Sequence, residues 1–253
     1  MTIIISPAKK LTPTNNSLGV ETTNSEFPAK LNELVDYAKS LSEQDLIDKM
    51  KISPSLAQLN FDRFQKFQDS PSLNAITQAV YTFKGDTYVG LKAENFTKDD
   101  LLFAQKNLLI ISGLYGLLKP LDGIQPYRFE MGTKIDLNGH KSLYEFWMNP
   151  LSEFIKKRIE IDNNGILNLA SEEYSKALNF NKIGCKLVTP VFKTEKNGGL
   201  KTVGILSKRA RGMMASYVIK NKIKDYAEVN EFSEDGYVYN EDLSTFSRPV
   251  FIK

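Results

Sequence analysis

One apolar segment, followed by a glycine turn and a polar loop, sets the architecture of this chain: Asn107-Leu-Leu-Ile-Ile-Ser-Gly-Leu-Tyr-Gly-Leu-Leu-Lys-Pro-Leu-Asp-Gly-Ile-Gln-Pro-Tyr-Arg-Phe-Glu-Met-Gly132. The apolar run 108–111 is too short for an exposed helix and predicts a buried strand or helix end. Gly113 and Gly116 frame a tight turn, and glycine suits positive φ or close backbone approach. The loop beyond delivers Arg128 and Glu130, which is typical of a site on a rigid scaffold, although an ordinary irregular loop fits equally well.

Composition predicts a soluble globular protein. The chain has 253 residues, of which 42% are hydrophobic and 25% charged, and we expect a single domain over residues 1–253. No apolar run approaches the roughly 20 residues of a membrane span. The first residues carry no basic segment ahead of the apolar ones, so we expect no signal peptide. A single cysteine, Cys185, excludes an internal disulfide, and together these features favour a cytoplasmic location and no membrane contact.

Several chemistries are disfavoured by composition. One histidine, His140, and one cysteine cannot build the usual zinc sites. No Walker sequence and no Gly-x-Gly-x-x-Gly opens a helix. We therefore expect no metal site and no cofactor, and any chemistry must use Lys, Arg, Asp, Glu, Ser and Tyr.

Helix and strand signals predict an α+β fold. Residues 2–5 and 166–169 are apolar and predict buried strands, while 133–142 predicts a hairpin around Asn138-Gly139. A second hairpin is expected over 187–206, closed by Asn197-Gly198-Gly199. Four residues mark helix starts by their capping or first-turn preference: Pro28, Ser42, Ser53 and Thr97. A mixed sheet flanked by helices is the expected architecture, with Pro150 breaking or kinking a helix that begins at Leu143.

Polar residues follow several of these elements and are candidates for a site. Lys9 comes just past the first strand, where ligands collect in α/β sheets, although an exposed loop lysine fits equally. Lys84 and Asp86 flank Gly85 in a turn. Asn168 and Ser171 stand at the end of strand 166–169.

Charge is distributed unevenly near the carboxyl terminus. Residues 190–224 carry nine Lys or Arg against one acid, whereas 225–242 carry seven acids and no base. Such segregation fits either a surface for an acidic partner or two blocks that neutralise each other. Lys208, Arg209 and Arg211 are predicted in the first turn of a helix, where the macrodipole disfavours cations. We interpret this as an anion-binding helix end rather than a solvated charge run.

Six motifs, in this order, resemble those of the YaaA peroxide-stress protein family. They are Ile4-Ile5-Ser6-Pro7-Ala8-Lys9-x-Leu11, Phe83-Lys84-Gly85-Asp86, Ser112-Gly113-Leu114-Tyr115-Gly116, Gln125-Pro126-Tyr127-Arg128-Phe129-Glu130-Met131-Gly132, Asn168-Leu169-Ala170-Ser171 and Lys208-x-Ala210-Arg211-Gly212. The resemblance covers nearly the whole chain. One departure is Lys10, where the family pattern has Thr.

The resemblance implies a cytosolic bacterial protein that limits hydrogen peroxide damage. It also implies an unusual single-domain fold, an association with lower free intracellular iron, and binding of double-stranded DNA through a positively charged cleft and a helix-hairpin-helix element. We expect a monomer, and an indirect effect on iron. The candidate DNA- or anion-binding residues are Lys9, Lys84, Gly113, Gly116, Arg128, Asn168, Ser171, Lys208, Arg209 and Arg211.

Two segments could form the helix-hairpin-helix. Residues 43–67 hold two helices joined by Lys51-Ile52-Ser53, and residues 98–119 contain an apolar-Gly-apolar-x-Gly turn. The glycines favour the second segment, in which the amides of Gly113 and Gly116 would approach a phosphate.

Two other functions fit the same residues. The chain could be an enzyme acting on DNA or a nucleotide-like substrate, with Lys9, Lys84, Asp86 and Glu130 as candidate catalytic residues beside Arg128. It could also be a scaffold whose basic face meets an acidic protein.

Overall fold

The computed structural model describes residues 1–14, 18–72, 75–162, 164–196 and 198–253. The helices are α1 Pro28–Ser40, α2 Glu43–Met50, α3 Pro54–Gln65, α4 Ala79–Thr82, α5 Asp86–Leu91, α6 Lys98–Asn107, α7 Leu143–Asp162, α8 Glu172–Ser175, α9 Phe180–Ile183 and α10 Gly204–Lys220. The strands are β1 Thr2–Ile5, β2 Lys10–Leu11, β3 Thr77–Gln78, β4 Phe83–Lys84, β5 Leu108–Ser112, β6 Gly116–Leu118, β7 Gly123–Ile124, β8 Lys134–Leu137, β9 His140–Ser142, β10 Ile166–Leu169, β11 Leu187–Val188, β12 Val191–Lys196, β13 Gly199–Lys201, β14 Val238–Thr245 and β15 Arg248–Ile252.

The central sheet has the strand order β11-β10-β1-β5-β6. The first four strands run parallel, and β6 is antiparallel to β5. β1 lies in the middle, with Ile3 opposite Leu167 of β10 and Leu108 of β5. All residues of β1, β5 and β10 are buried, as expected for parallel strands covered on both faces. The predicted α+β fold with a mixed sheet flanked by helices is confirmed.

A second sheet and three two-stranded ladders complete the β-structure of the described ranges. The second sheet has the order β13-β12-β15-β14, with β12 parallel to β15. The ladders pair β2 with β4, β3 with β7 and β8 with β9. The predicted hairpin 133–142 is confirmed by the last pair. The second hairpin is shorter than predicted because Gly204–Leu206 belongs to α10, and Asn197 of its expected turn lies outside the described residues.

Helix starts follow their local signals closely. Ser42 and Thr97 each form a capping box, in which the hydroxyl accepts from the third helical amide and an Asp there accepts from the cap amide. The Ser53 hydroxyl accepts from the amide of Leu56 at 3.4 Å, and Pro28 opens α1. All four predicted helix starts are confirmed. Pro150, however, lies inside a continuous α7. Of the two predicted effects, the break is therefore wrong and the kink stays a prediction.

The glycine turn that opened the sequence analysis is a buried β-hairpin. β5 and β6 pair from Ile110 opposite Leu118 to Ser112 opposite Gly116. The Trp147 indole N–H donates to the Gly113 carbonyl at 2.9 Å, and a Cβ on Gly116 would lie 2.6 Å from the same ring. Because α6 is followed by two strands and not by a helix, the helix-hairpin-helix predicted over residues 98–119 is wrong.

One hydrophobic cluster joins residues of both sheets and of the long helices in the described chain. No helix there is both long and apolar enough to cross a membrane.

Candidate functional site

A cavity of about 510 Å³ lies at the carboxyl edge of the central sheet. Ser6 follows β1 and Ser171 follows β10, and both line it. Ligands of open parallel sheets collect at this edge. The cavity, which we call the carboxyl-edge cavity, is lined by Ser6, Pro7, Ala8, Lys9, Lys10, Lys84, Gly85, Asp86, Thr87, Tyr88, Ser171, Glu172, Glu173, Tyr174, Lys208 and Arg211.

Hydrogen bonds between the two strand ends fix the floor of the cavity. The Ser171 amide donates to the Ser6 hydroxyl at 2.8 Å, and that hydroxyl donates to the Ser171 hydroxyl at 3.2 Å. The buried Tyr88 hydroxyl donates to the Ser6 carbonyl at 3.1 Å. Asn168 lies behind this floor, where its side-chain oxygen accepts from the Ala170 amide at 3.1 Å. Asn168 therefore shapes the turn and does not line the cavity.

Two lysines enter the cavity from the β2–β4 ladder. Lys10 and Lys84 are directly opposite one another in this antiparallel pair, and both line the cavity. Side chains in such positions lie on the same face with Cβ atoms about 5 Å apart, and like charges there are destabilising. An anion between the two side chains would offset such repulsion.

Two glycines bring the remaining cations to the same place. α5 crosses α10 so closely that a Cβ on Gly212 would overlap the Thr87 carbonyl oxygen and lie 2.8 Å from the Leu91 amide nitrogen. A Cβ on Gly90 would in turn overlap the Arg209 carbonyl oxygen. The crossing therefore sets α5, which begins at Asp86, against the helix that carries Lys208 and Arg211.

The three basic residues in the first half of α10, Lys208, Arg209 and Arg211, divide between two faces. Lys208 and Arg211 are three residues apart, share a helix face and line the cavity. Arg209 points elsewhere: its guanidinium lies 4.0 Å from Asp86 and lines a separate depression with Glu234 and Asp235. Arg209 is therefore not among the lining residues of the cavity, although it reaches Asp86, which is one of them, and its part in anion binding stays a prediction.

The predicted helix-end position is also wrong. α10 begins at Gly204, with Val203 as its N-cap, so Lys208 lies beyond the first turn. The macrodipole acts within the first turn and does not explain the basic cluster. The close crossing of α5 and α10 instead places Lys208 and Arg211 at the cavity.

An ion-pair chain borders the cavity on its other side. The Lys9 ammonium lies 2.7 Å from one Glu130 oxygen. The Arg128 guanidinium donates to the other oxygen at 2.7 and 3.0 Å. The Lys9 side chain is 60% exposed and that of Glu130 is 18% exposed, so the Glu130 carboxylate is the more rigidly held member of this ion pair. The loop 120–132 thus brings Arg128 and Glu130 next to Lys9, a lining residue. Neither Arg128 nor Glu130 lines the cavity itself, so their part in a binding cleft stays a prediction.

Most of the cavity cations have no acidic partner. Among the residues that the structure describes, four of them form no ion pair within 4.0 Å: Lys10, Lys84, Lys208 and Arg211. The acidic lining residues are Asp86, Glu172 and Glu173, and Glu172 is paired with Lys176 at 2.7 Å. Burial lowers the pKa of the Arg211 guanidinium, and buried cations are normally paired. The arrangement is suited to holding an anionic group.

Buried tyrosines form the apolar wall. Burial raises the pKa of the Tyr88 hydroxyl well above its usual value. Burial likewise raises the pKa of Tyr174, reinforced by the nearby Glu173. Both phenols stay protonated at neutral pH and can act only as neutral hydrogen-bonding groups.

Gly113 and Gly116 do not belong to the site. Both are buried, and a Cβ on Gly113 would overlap the Phe129 carbonyl oxygen. Neither glycine lines the carboxyl-edge cavity, and their burial disfavours the predicted contact of their amides with a phosphate. The lack of a side chain at both positions allows the close packing of Trp147 against Gly116 and of the Phe129 backbone against Gly113.

The other helix-hairpin-helix candidate does consist of two helices. α2 and α3 are joined by residues 51–53, and Lys51 adopts a left-handed conformation with φ of 54°. Ser53, Pro54 and Ser55 at the start of α3 are exposed. The hairpin of the 43–67 segment is therefore present, and its use in DNA binding stays a prediction.

Sequence reasoning missed three contributors to the cavity. Lys10 was noted only as a departure from the family pattern, Gly90 was not singled out, and Gly212 appeared only as part of a motif. An isolated glycine inside a helical pattern is a signal for close helix approach, which both glycines carry. No three His, Cys, Asp or Glu side chains of the described chain lie together as metal ligands would.

Comparisons with known proteins identify the family. The sequence model described as peroxide stress protein YaaA matches residues 1–243. The chain belongs to this family. Relatives named UPF0246 protein include one from Clostridium beijerinckii, 44% identical over all of this chain and 98% of the relative. Another, from Teredinibacter turnerae, is 42% identical over all of this chain and 99% of the relative.

In this YaaA-family chain, four of the six recognised motifs contribute residues to the carboxyl-edge cavity. The loop 125–132 forms the rim next to it, and the 112–116 turn is structural. Family membership supports a role in the response to peroxide stress.

Proposed function

We propose that this protein serves the peroxide stress response by binding double-stranded DNA, with backbone phosphates held by the cations of the carboxyl-edge cavity. The observation that carries the proposal is the set of four cations, Lys10, Lys84, Lys208 and Arg211, which line one cavity and form no ion pair in the described chain. Phosphate groups supply the missing negative charge without any need for base readout.

The other candidate residues would contribute less to DNA binding than the four unpaired cations. Lys9 and Arg128 are held by Glu130 at the rim and act as secondary phosphate contacts. Ser171 adds a hydroxyl to the floor. The α2–α3 hairpin would offer the exposed amides at the start of α3 to a phosphate of the same duplex. We propose that any lowering of free iron is indirect, because the sequence has one histidine and one cysteine.

Salt dependence tests the proposal. Each phosphate contact adds about 0.9 to the slope of log affinity against log salt. Replacing Lys84, Lys208 and Arg211 by Gln should therefore flatten that slope by roughly 2.7. Fluorescence anisotropy of a labelled duplex measures it between low and physiological salt.

A matched triple variant provides the control. Lys141, Lys182 and Lys196 lie on the surface, so K141Q/K182Q/K196Q removes the same charge elsewhere. If both triple variants lose the same affinity, only net charge matters and the proposed cavity contacts are wrong. Duplex affinity that does not change with salt would refute DNA binding through phosphates altogether.

A second candidate, an enzyme that acts on DNA, is favoured by one further observation. Lys84 has no ion-pair partner in the described chain and stands in the same cavity as Asp86, whereas the Lys9 ammonium is already paired with Glu130. Of the two candidate nucleophiles, Lys84 is therefore the freer amine. It could attack the aldehyde of an abasic sugar and form an imine with loss of water.

Borohydride trapping distinguishes this candidate. Reduction of the imine would leave a stable secondary amine between protein and abasic DNA, absent in Lys84→Ala and present in Lys9→Ala. If no adduct forms, or if it persists in both variants, the enzymatic candidate is removed and the DNA-binding proposal stands.

A further inference from the structure

A second basic region lies at the opposite edge of the central sheet. Met1, Asn107 and Asn164 precede β1, β5 and β10, and all three line an open groove of about 990 Å³. Because these strands run parallel, the groove is at their amino ends. We call it the amino-edge groove; it is lined by Met1, Phe103, Gln105, Lys106, Asn107, Lys119, Phe154, Lys157, Arg158, Ile161, Asp162, Asn164 and Lys224.

The groove is strongly cationic. Five of its lining residues are Lys or Arg, and one, Asp162, is acidic. Lys119 is paired with Glu26 at 3.3 Å. The other four cations form no ion pair within the described ranges: Lys106, Lys157, Arg158 and Lys224. The Arg158 Nε is buried and has no hydrogen-bond partner among the residues that the structure describes.

The groove cannot share a straight ligand with the carboxyl-edge cavity. β1 connects the two, with Met1 in the groove and Ser6 in the cavity. At about 3.3 Å per strand residue, the two lie roughly 17 Å apart at opposite ends of one strand. Duplex DNA has a persistence length of about 150 base pairs, so a short duplex does not wrap from one edge to the other.

The chemistry of the groove matches a phosphate backbone. Lys106, Lys157 and Lys224 are exposed and lie on three different segments, so their long side chains reach successive charges without fixed geometry. Phe103 and Phe154 supply partly buried apolar surface between them. Flexible lysines that neutralise phosphates supply the sequence-independent part of duplex binding.

We infer that the amino-edge groove binds a second DNA duplex, so that one molecule bridges two duplexes. This inference rests on the proposed function, since it assigns the first duplex to the carboxyl-edge cavity.

Stoichiometry and bridging test it together. A 12-base-pair duplex is titrated onto the full chain, and energy transfer between donor- and acceptor-labelled duplexes reports bridging. We expect two duplexes per chain for the wild type. K106Q/K157Q/K224Q and K84Q/K208Q/R211Q should each bind one duplex and abolish energy transfer.

A gain-of-function variant guards against misfolding. Asp162 is exposed and is the acidic lining residue, so Asp162→Asn should bind the second duplex more tightly than the wild type. Loss of structure cannot produce that result. Unaltered affinity in D162N counts against the groove.

Other outcomes separate the two proposals. If K106Q/K157Q/K224Q still binds two duplexes and still bridges them, the groove assignment is wrong while DNA binding stands. Light scattering that finds two protein copies in each bridged complex, each with one duplex, also overturns the inference. If the wild type binds no duplex at all, the proposed function fails, and the inference fails with it.

Discussion

The close crossing of α5 and α10 predicts a severe effect of adding one methyl group to Gly212. A Cβ there would overlap the Thr87 carbonyl oxygen and lie 2.8 Å from the Leu91 amide nitrogen. Both obstacles are backbone atoms of a helix, so rotating a side chain cannot relieve them. Overpacking of this kind costs about 1–3 kcal/mol and occasionally more. We expect Gly212→Ala to reach the upper end, about 3 kcal/mol.

Gly204 provides a control in the same helix. Apart from its chain neighbours and the backbone of its own helix, no atom of the described residues lies within 4 Å of a Cβ built there. Replacing glycine by alanine at such an unstrained position stabilises by about 0.4–1 kcal/mol. Urea unfolding followed by circular dichroism should therefore show G212A less stable and G204A slightly more stable than the wild type. In thermal melts, the G212A midpoint should fall by roughly 6–12 °C, at 2–4 °C per kcal/mol.

The crossing also positions the site, so binding is a second readout. In G212A, α5 must move away from α10, which separates Lys84 from Lys208 and Arg211. Affinity for duplex DNA should fall in the folded variant and stay unchanged in G204A. Equal unfolding free energies for the two variants would refute the packing argument. A destabilised G212A that binds as the wild type does would refute the link between crossing and site.

Two further predictions concern stability. Burial alone would raise the pKa of Asp100, but hydrogen bonds from Lys222 and Thr97 outweigh it and lower the pKa. The ionised Asp100 therefore stabilises the folded protein above the unfolded pKa of about 3.9, and this stabilisation is lost as pH falls through the folded pKa. Asp100→Asn should cost about 1 kcal/mol at pH 7, given that Lys222 is partly exposed, and urea unfolding at pH 7 and pH 3 should show the difference shrinking in acid. Pro150 lies inside α7, where proline removes a helical hydrogen bond. Pro150→Ala should therefore raise the unfolding free energy by about 1 kcal/mol or more. If the unfolding free energy does not rise, neighbouring contacts already compensate for the lost hydrogen bond.

Local chemistry explains which parts of the fold could be predicted from the sequence. Ser42, Ser53 and Thr97 act on amides within three residues, so their helices could be located without knowing the tertiary structure. The buried strands of residues 2–5 and 166–169 were equally clear, because apolar runs of that length suit parallel strands covered on both faces.

Predictions failed where tertiary packing decides. Lys208 was predicted in the first turn of a helix, yet it lies beyond that turn, because α10 extends back to Gly204. Gly113 and Gly116 resembled a DNA-binding turn, and only the position of Trp147 shows that the turn faces the core. The gathering of Lys84, Lys208 and Arg211 depends on a helix crossing between distant segments, which no local pattern encodes.

The Lys10–Lys84 pair has a consequence for the cavity when no ligand is present. The two-residue β2–β4 ladder holds like charges opposite one another, and solvent ions screen such repulsion over about 8 Å at physiological ionic strength. Added salt therefore reduces the repulsion between Lys10 and Lys84 when no ligand is bound. When a polyanion is bound, the same salt weakens its binding. Salt thus has opposite effects on the two states, and the lysine pair favours a bound anion most in dilute buffer.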